Sequence, residues 1–145
     1  MNVVHLAKRY VRSLSKEPPS AEDEAWAMTW MTTAEAHLWS RMTVQDRRHS
    51  IEIARRFQEL RPAATREEMA GALLHDVGKL QSGLHTNGRV LATVVGPRTS
   101  RFREYHDYEA IGAELAAAAN ADPATVALIR GDGPAAADLA AADDI

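Results

Sequence analysis

Apolar residues recur at helical spacing along most of the chain. Ile53, Phe57 and Leu60 fall on one stripe of a segment running from Val44 to Leu60, and His49 lies four residues before Ile53 on that same stripe. Leu73, Val77 and Leu80 form a second apolar edge, and Val4, Ala7, Val11 and Leu14 a third near the start. The punctuation agrees with this period. Ser20 with Asp23, Thr32 with Glu35, Thr43 with Asp46 and Thr65 with Glu68 each pair an oxygen-bearing cap with an acid three residues later, which answers the amides left open in a first helical turn. Pro18-Pro19 and Pro62 stop helices, Asn120 and Gly131 suit the left-handed residue just beyond one, and Asp122-Pro123 reads as cap plus first helical residue. The pattern predicts helices over 2–16, 21–31, 34–42, 44–60, 66–79, 104–119, 123–130 and 135–143. The expected fold class is therefore all-α.

One sizeable irregular stretch, Gln81 to Ser100, interrupts the pattern, with Gly83, Asn87-Gly88 and Gly96-Pro97 as breakers around the apolar piece Val90 to Val95. A long loop directly after a polar helix end is a common place for function. Trp26 and Trp30, four residues apart, should share a face and anchor an N-terminal helical extension, residues 1–41, to a core formed by residues 42–145. The basic start, with Lys8, Arg9, Arg12 and Lys16, is read as an amphipathic helix with its apolar stripe on that core and its bases in solvent. No repeat is visible, so a solenoid is not expected.

Composition narrows the chemistry. The 145 residues are 46% hydrophobic and 26% charged, which suits one globular domain. A net charge of -3 lacks the basic footprint of a nucleic-acid binder, so no nucleic-acid partner is expected. There is no cysteine, which excludes thiol nucleophiles, disulfides, Fe–S clusters and thiolate zinc sites. Any metal must be held by nitrogen and oxygen. No apolar run approaches the roughly 18 to 20 residues needed to cross a bilayer, and the start lacks the apolar core of a signal peptide. The reading is a cytoplasmic protein without stable membrane association.

His75 and Asp76 stand side by side at the end of the apolar run Ala72-Leu73-Leu74. A carboxylate carried into such surroundings is costly unless a cation accompanies it, so a positive group is expected beside Asp76. His49, the pair His75-Asp76 and a late acid, Asp143 or Asp144, together supply the donors that a borderline divalent cation prefers.

With these residues in view, the chain resembles the HD-domain superfamily of metal-dependent phosphohydrolases. The carriers are Asp-Arg-Arg-His49-Ser-Ile-Glu-Ile-Ala, Ala-Leu-Leu-His75-Asp76-Val-Gly78-Lys79 and Ala-Ala-Asp143-Asp-Ile, in the order of that family's H, HD and D motifs, over residues 42 to 145. The resemblance implies a compact helical bundle with His49, His75, Asp76 and Asp143 as ligands. Asp143 is preferred to Asp144 because it follows Ala142 in an Ala-Asp-x-aliphatic pattern. Some members bind a second metal through further histidines. Here Ile111-Gly112-Ala113 is preceded by Tyr108 where such a histidine would stand, His106 lies two residues too early, and Asp132 replaces another. One divalent ion is therefore expected (Mn, Fe, Co, Ni or Zn), with His106 and Asp132 as the extra donors to consider.

The resemblance implies hydrolysis of a small phosphate ester, a nucleotide monoester or cyclic diester, by water activated at the metal. Asp76 and Lys79 are the expected catalytic pair, and Lys79, Arg48, His85 and Arg89 the candidate phosphate contacts. Lys79 also suits a cation stabilising a helix C-terminus. Arg47 and Arg48 equally suit an exposed helix face, and Asp107 is a candidate for positioning water. The alternative reading is a regulatory HD-fold module that binds nucleotide or metal without useful turnover. A homo-oligomer, in which a second copy covers alanine-rich surface, is a further expectation.

Overall fold

The computed structural model describes Val4, residues 17–82 and residues 97–144, with side chains over 17–80 and 108–144. Among these residues there is no strand, and the helices are α1 (Ala21–Met28), α2 (Thr33–Ser40), α3 (Val44–Leu60), α4 (Arg66–Leu74), α5 (Lys79–Ser82), α6 (Pro97–Ala118), α7 (Pro123–Ile129) and α8 (Ala136–Asp143). The expected all-α fold is the observed one. None of the described helices is long and apolar enough to cross a membrane. Helix 2–16 lies outside the described residues except for Val4, which is helical but 60% exposed, so this member of the predicted stripe is not in the core.

The caps act where the sequence put them. Ser20, Thr43 and Asp122 accept a backbone N–H in the first turn of α1, α3 and α7. Thr32 and Thr65 form full capping boxes with Glu35 and Glu68. At the other ends, Asn120 (φ 59°) and Gly131 (φ 87°) take the left-handed conformation. The amides of Ala121 and Asp132 then return to the carbonyls of Ala116 and Ala127, which closes both helix ends.

Two boundaries differ by five residues or more from expectation, and α1 and α2 end two or three residues early, at Met28 and Ser40. Helix 66–79 is not continuous, because α4 stops at Leu74 and residues 75–78 form a turn held by bonds from the amides of Val77, Lys79 and Leu80 to the carbonyls of Leu74, Asp76 and Val77. Apolar spacing does not register this break, since Leu73 and Val77 are buried on either side of it. In the other direction, α6 begins at Pro97, inside the stretch read as irregular. Proline is tolerated at the first helical position and there marks a start rather than a stop.

The core is built around α4. Met69 to Leu74 are all buried, so beyond its charged first turn this helix is apolar all round and is enclosed by its neighbours. It packs most extensively on α7 and α3, while α8 lies on α3 and α6 on α7. Gly71 allows the close approach of α7, since a Cβ there would come within 2.9 Å of Leu128 Cδ2. Ile53 and Phe57 of the predicted stripe are fully enclosed, each stabilising the fold by about 1.5–3 kcal/mol through burial, whereas Leu60 at the helix end is 46% exposed.

The segment before residue 42 contributes to this same core. Trp39 is enclosed and donates its indole N–H to Ser50 Oγ at 2.9 Å. Trp26 and Trp30 meet edge to face, 6.2 Å between centroids, and pack partly buried against the core as expected. Arg55 of α3 lies 4.1 Å over the Trp26 ring and pairs with Asp23 at 2.7 Å. Glu35 is wholly buried, and its carboxylate takes the Thr32 amide at 2.8 Å and Arg66 Nη1 at 3.1 Å.

Candidate functional site

Three parts of the fold bring the H, HD and D residues together. His49 comes from the middle of α3, His75 and Asp76 from the turn after α4, and Asp143 from the last turn of α8. The turn is possible because Gly78 rests directly on α6. A Cβ at Gly78 would overlap the Tyr108 carbonyl oxygen and stand 2.8 Å from its carbon and 3.0 Å from the Gly112 amide. No side chain fits there. This contact pins the turn, and with it the direction of His75 and Asp76.

His75 is oriented by its own helix. Its Nδ1 lies 2.6 Å from the Ala72 carbonyl oxygen, which can only accept, so Nδ1 carries the proton and donates. In the neutral ring Nε2 then presents a lone pair. That atom is buried with no hydrogen-bond partner among the described residues, 3.4 Å from Asp76 Oδ2 and 3.9 Å from Asp143 Oδ1. His49 Nε2 stands 3.7 Å from the same Asp143 oxygen. These separations are too long for hydrogen bonds. Donors sharing an ion at roughly 2.0–2.2 Å stand about 3 to 4 Å apart. The contacts form an open chain, His49 to Asp143 to His75 to Asp76, and no finished cage of three or more such side chains is closed among the described residues.

The donor set suits a borderline divalent ion. With the ring neutral, the Nε2 lone pair facing two carboxylates is repulsive, and a cation among them removes the repulsion. The second ring nitrogen held by a backbone carbonyl is the usual support of a ligating histidine. Two carboxylates and two neutral imidazoles would balance a 2+ charge.

The expected cation beside Asp76 is Lys79, with Nζ 3.5 Å from Oδ2. Burial alone would lower the Lys79 pKa, but the carboxylates of Asp76, Asp46 and Asp143 outweigh it and hold the ammonium above its ordinary range. Lys79 begins the four-residue α5, five residues past the end of α4, so it does not lie in the last turn of α4.

The donor chain opens into a cavity of about 410 Å³ lined by His49, His75, Asp76, Lys79 and Asp143 on one side. Tyr108 and Glu109 of α6 and the apolar side chains of Leu128, Ile129 and Leu139 complete it. Glu109 was not singled out from the sequence. A signal existed, because it lies three residues before Gly112 and so shares the α6 face that meets the turn. Two other candidates stand apart. Arg48 donates to the Glu17 carbonyl at 3.0 Å, toward the N-terminal segment, and does not line the cavity. Asp132 is exposed beyond α7 and does not line it either. His85 and Arg89 lie outside the described residues, as do the side chains of His106 and Asp107. No protein-family model, curated protein or solved structure matches the chain.

Proposed function

We propose that this protein is a metal-dependent phosphohydrolase of the HD type acting on a small phosphate ester, with a nucleotide as the expected class. The observation that carries the reading is the buried Nε2 of His75, tied at its other nitrogen and turned toward two carboxylates. His49, His75, Asp76 and Asp143 would hold the ion. When bound, a divalent ion acidifies water and polarises a phosphoryl oxygen. Lys79 offers a charged ammonium at the cavity wall for a phosphate oxygen, held in place by Asp76. Asp76, the carboxylate between His75 and Lys79, is the group placed to take a proton from attacking water. Leu128, Ile129 and Leu139 add apolar surface to the same cavity.

Elemental analysis of gently purified protein, followed by a phosphatase panel with Mn²⁺, Fe²⁺, Co²⁺, Ni²⁺ and Zn²⁺, tests the proposal. Metal-stimulated release of phosphate that disappears in His75→Ala and Asp76→Ala is the expected result. A regulatory module is the second reading, favoured by Tyr108, which lines the cavity where a second-metal histidine would stand in the resembled family. It requires nucleotide or metal binding without turnover. Absence of metal binding overturns the phosphohydrolase, and absence of both metal and nucleotide binding overturns the module as well.

A further inference from the structure

We infer that the alcohol part of the phosphate ester lies along α8, from Asp143 toward Ala136, and that this face selects an apolar alcohol over a short polar one. The inference rests on the phosphohydrolase reading and adds a substrate class to it: monoesters whose alcohol carries an apolar chain or ring reaching about two helical turns from the ion.

The direction comes from the register of α8. Ala136, Leu139, Ala140 and Asp143 all line the cavity, and they stand at positions i, i+3, i+4 and i+7 of one helix, so a single face of α8 borders it. At a rise of about 1.5 Å per residue, Ala136 lies about 10 Å along the axis from Asp143. The donor chain gathers at the Asp143 end of this face. His49 Nε2 and His75 Nε2 are 3.7 and 3.9 Å from Asp143 Oδ1, and Asp76 links His75 to Lys79 through contacts of 3.4 and 3.5 Å. The His75 nitrogen is buried there without a hydrogen-bond partner among the described residues. An ion and a phosphate are therefore expected at that end, and the group esterified to the phosphate must extend away from it.

Beyond Asp143 the face offers only carbon. Ala140, Leu139 and Ala136 carry no polar side-chain atom, and Leu128 and Ile129 from the end of α7 add apolar surface to the same cavity. Ala140 is exposed and Ala136 half-buried, so their methyl groups stay open to contact. Among the described lining residues outside the donor chain and Lys79, the polar side chains are those of Tyr108 and Glu109, both from α6, and Glu109 already has a partner within the chain. A hydroxyl laid on the α8 face would give up water without meeting a side-chain partner, whereas a methylene gains by leaving water.

Propyl, hexyl and glycerol phosphate test this with Mn²⁺-loaded full-length protein, the two alkyl esters sharing one leaving-group chemistry. The expected kcat/KM is about tenfold or more higher for hexyl than for propyl phosphate, and about threefold or more higher for propyl than for glycerol phosphate. Calorimetric binding of propylphosphonate and hexylphosphonate, whose phosphorus–carbon bond resists hydrolysis, should show the same preference for the longer chain without turnover. Ala136→Glu sets a charge at the far end of the face and should reduce the hexyl-to-propyl ratio to about threefold or less in both measurements. Ala137→Glu, at an exposed neighbouring position that does not line the cavity, should keep the wild-type ratio. Both acids fall in the first turn of α8, where the helix dipole favours them, so both variants should fold. Hydrolysis with a flat chain-length ranking, a ratio that survives in folded Ala136→Glu, or an equal fall in the two variants overturns the role of α8 while leaving the phosphohydrolase standing. If the Mn²⁺-loaded protein neither hydrolyses the esters nor binds the phosphonates, the phosphohydrolase reading fails and this inference falls with it.

Discussion

Gly78 and Tyr108 touch through their backbones, with the α-carbon of one set against the carbonyl of the other so closely that no side chain fits between them. This contact joins the turn carrying His75 and Asp76 to the helix carrying Glu109. Gly78→Ala should therefore displace the turn from α6, costing about 3 kcal/mol or more and weakening metal binding. Gly133→Ala is the comparison, because Gly133 has φ 95° but nothing within 4 Å of a Cβ. It carries only local backbone strain, about 1–2 kcal/mol, and should leave metal binding unchanged. Thermal melting and metal titration of the two variants distinguish a packing constraint from general glycine strain.

Glu35 and Arg66 give a second test. The carboxylate is fully enclosed, and Arg66 is the cation at 3.1 Å that accompanies it. Arg66→Met should destabilise by about 3–5 kcal/mol, because it leaves a buried charge without its partner. Adding Glu35→Gln to that variant should recover part of the loss, since the charge is then gone and the amide oxygen can still receive the Thr32 amide. Equal stability of the single and double variants in urea would contradict this account.

The pH dependence of stability should report on Glu68. Burial pushes its pKa up, but the Thr65 amide and the Arg61 guanidinium outweigh that effect and hold it below the ordinary value of 4.5. A folded-state pKa below the unfolded one contributes stability that is present above about 4.5 and is lost as pH falls through the folded value. Glu68→Gln should thus be less stable than wild type by about 1–2 kcal/mol at pH 7, with the gap narrowing below pH ~4. Urea titrations at the two pH values measure it.

Metal removal should act on stability as well as on turnover. A ligand held only by the folded state stabilises it by about 2.7 kcal/mol at a hundred times its dissociation constant. Mn²⁺ should raise the melting temperature of the wild type, and chelator should reverse the gain. His49→Ala and Asp143→Asn should each lose most of the shift, because they remove the proposed donors contributed by α3 and α8.

The elements that carry the site were legible because each has a local cause. The Thr43 cap and the stripe through His49, Ile53 and Phe57 define α3, and its observed limits are the expected ones. The Thr65–Glu68 box starts α4. The end of α4 was not legible, because Leu73 and Val77 are apolar whether the backbone between them is helix or turn. Only the passage of α6 over Gly78 shows that the turn is needed there. Trp39 is likewise a tertiary outcome: it is the enclosed one of the three tryptophans, and its indole meets Ser50 across the α2–α3 corner, eleven residues away.

Capped helix starts follow from interactions within four residues, and the sequence alone settles those at Thr32, Thr43 and Thr65. It also names the donor types, since a chain without cysteine can offer a metal only nitrogen and oxygen. The company each donor keeps is decided by packing between distant segments. Tertiary structure sets His75 against Asp143, ties Lys79 to Asp76, brings Glu109 to the cavity and turns Arg48 away toward Glu17. Charges interact through space, and distance in space between such segments is not written in their spacing along the chain.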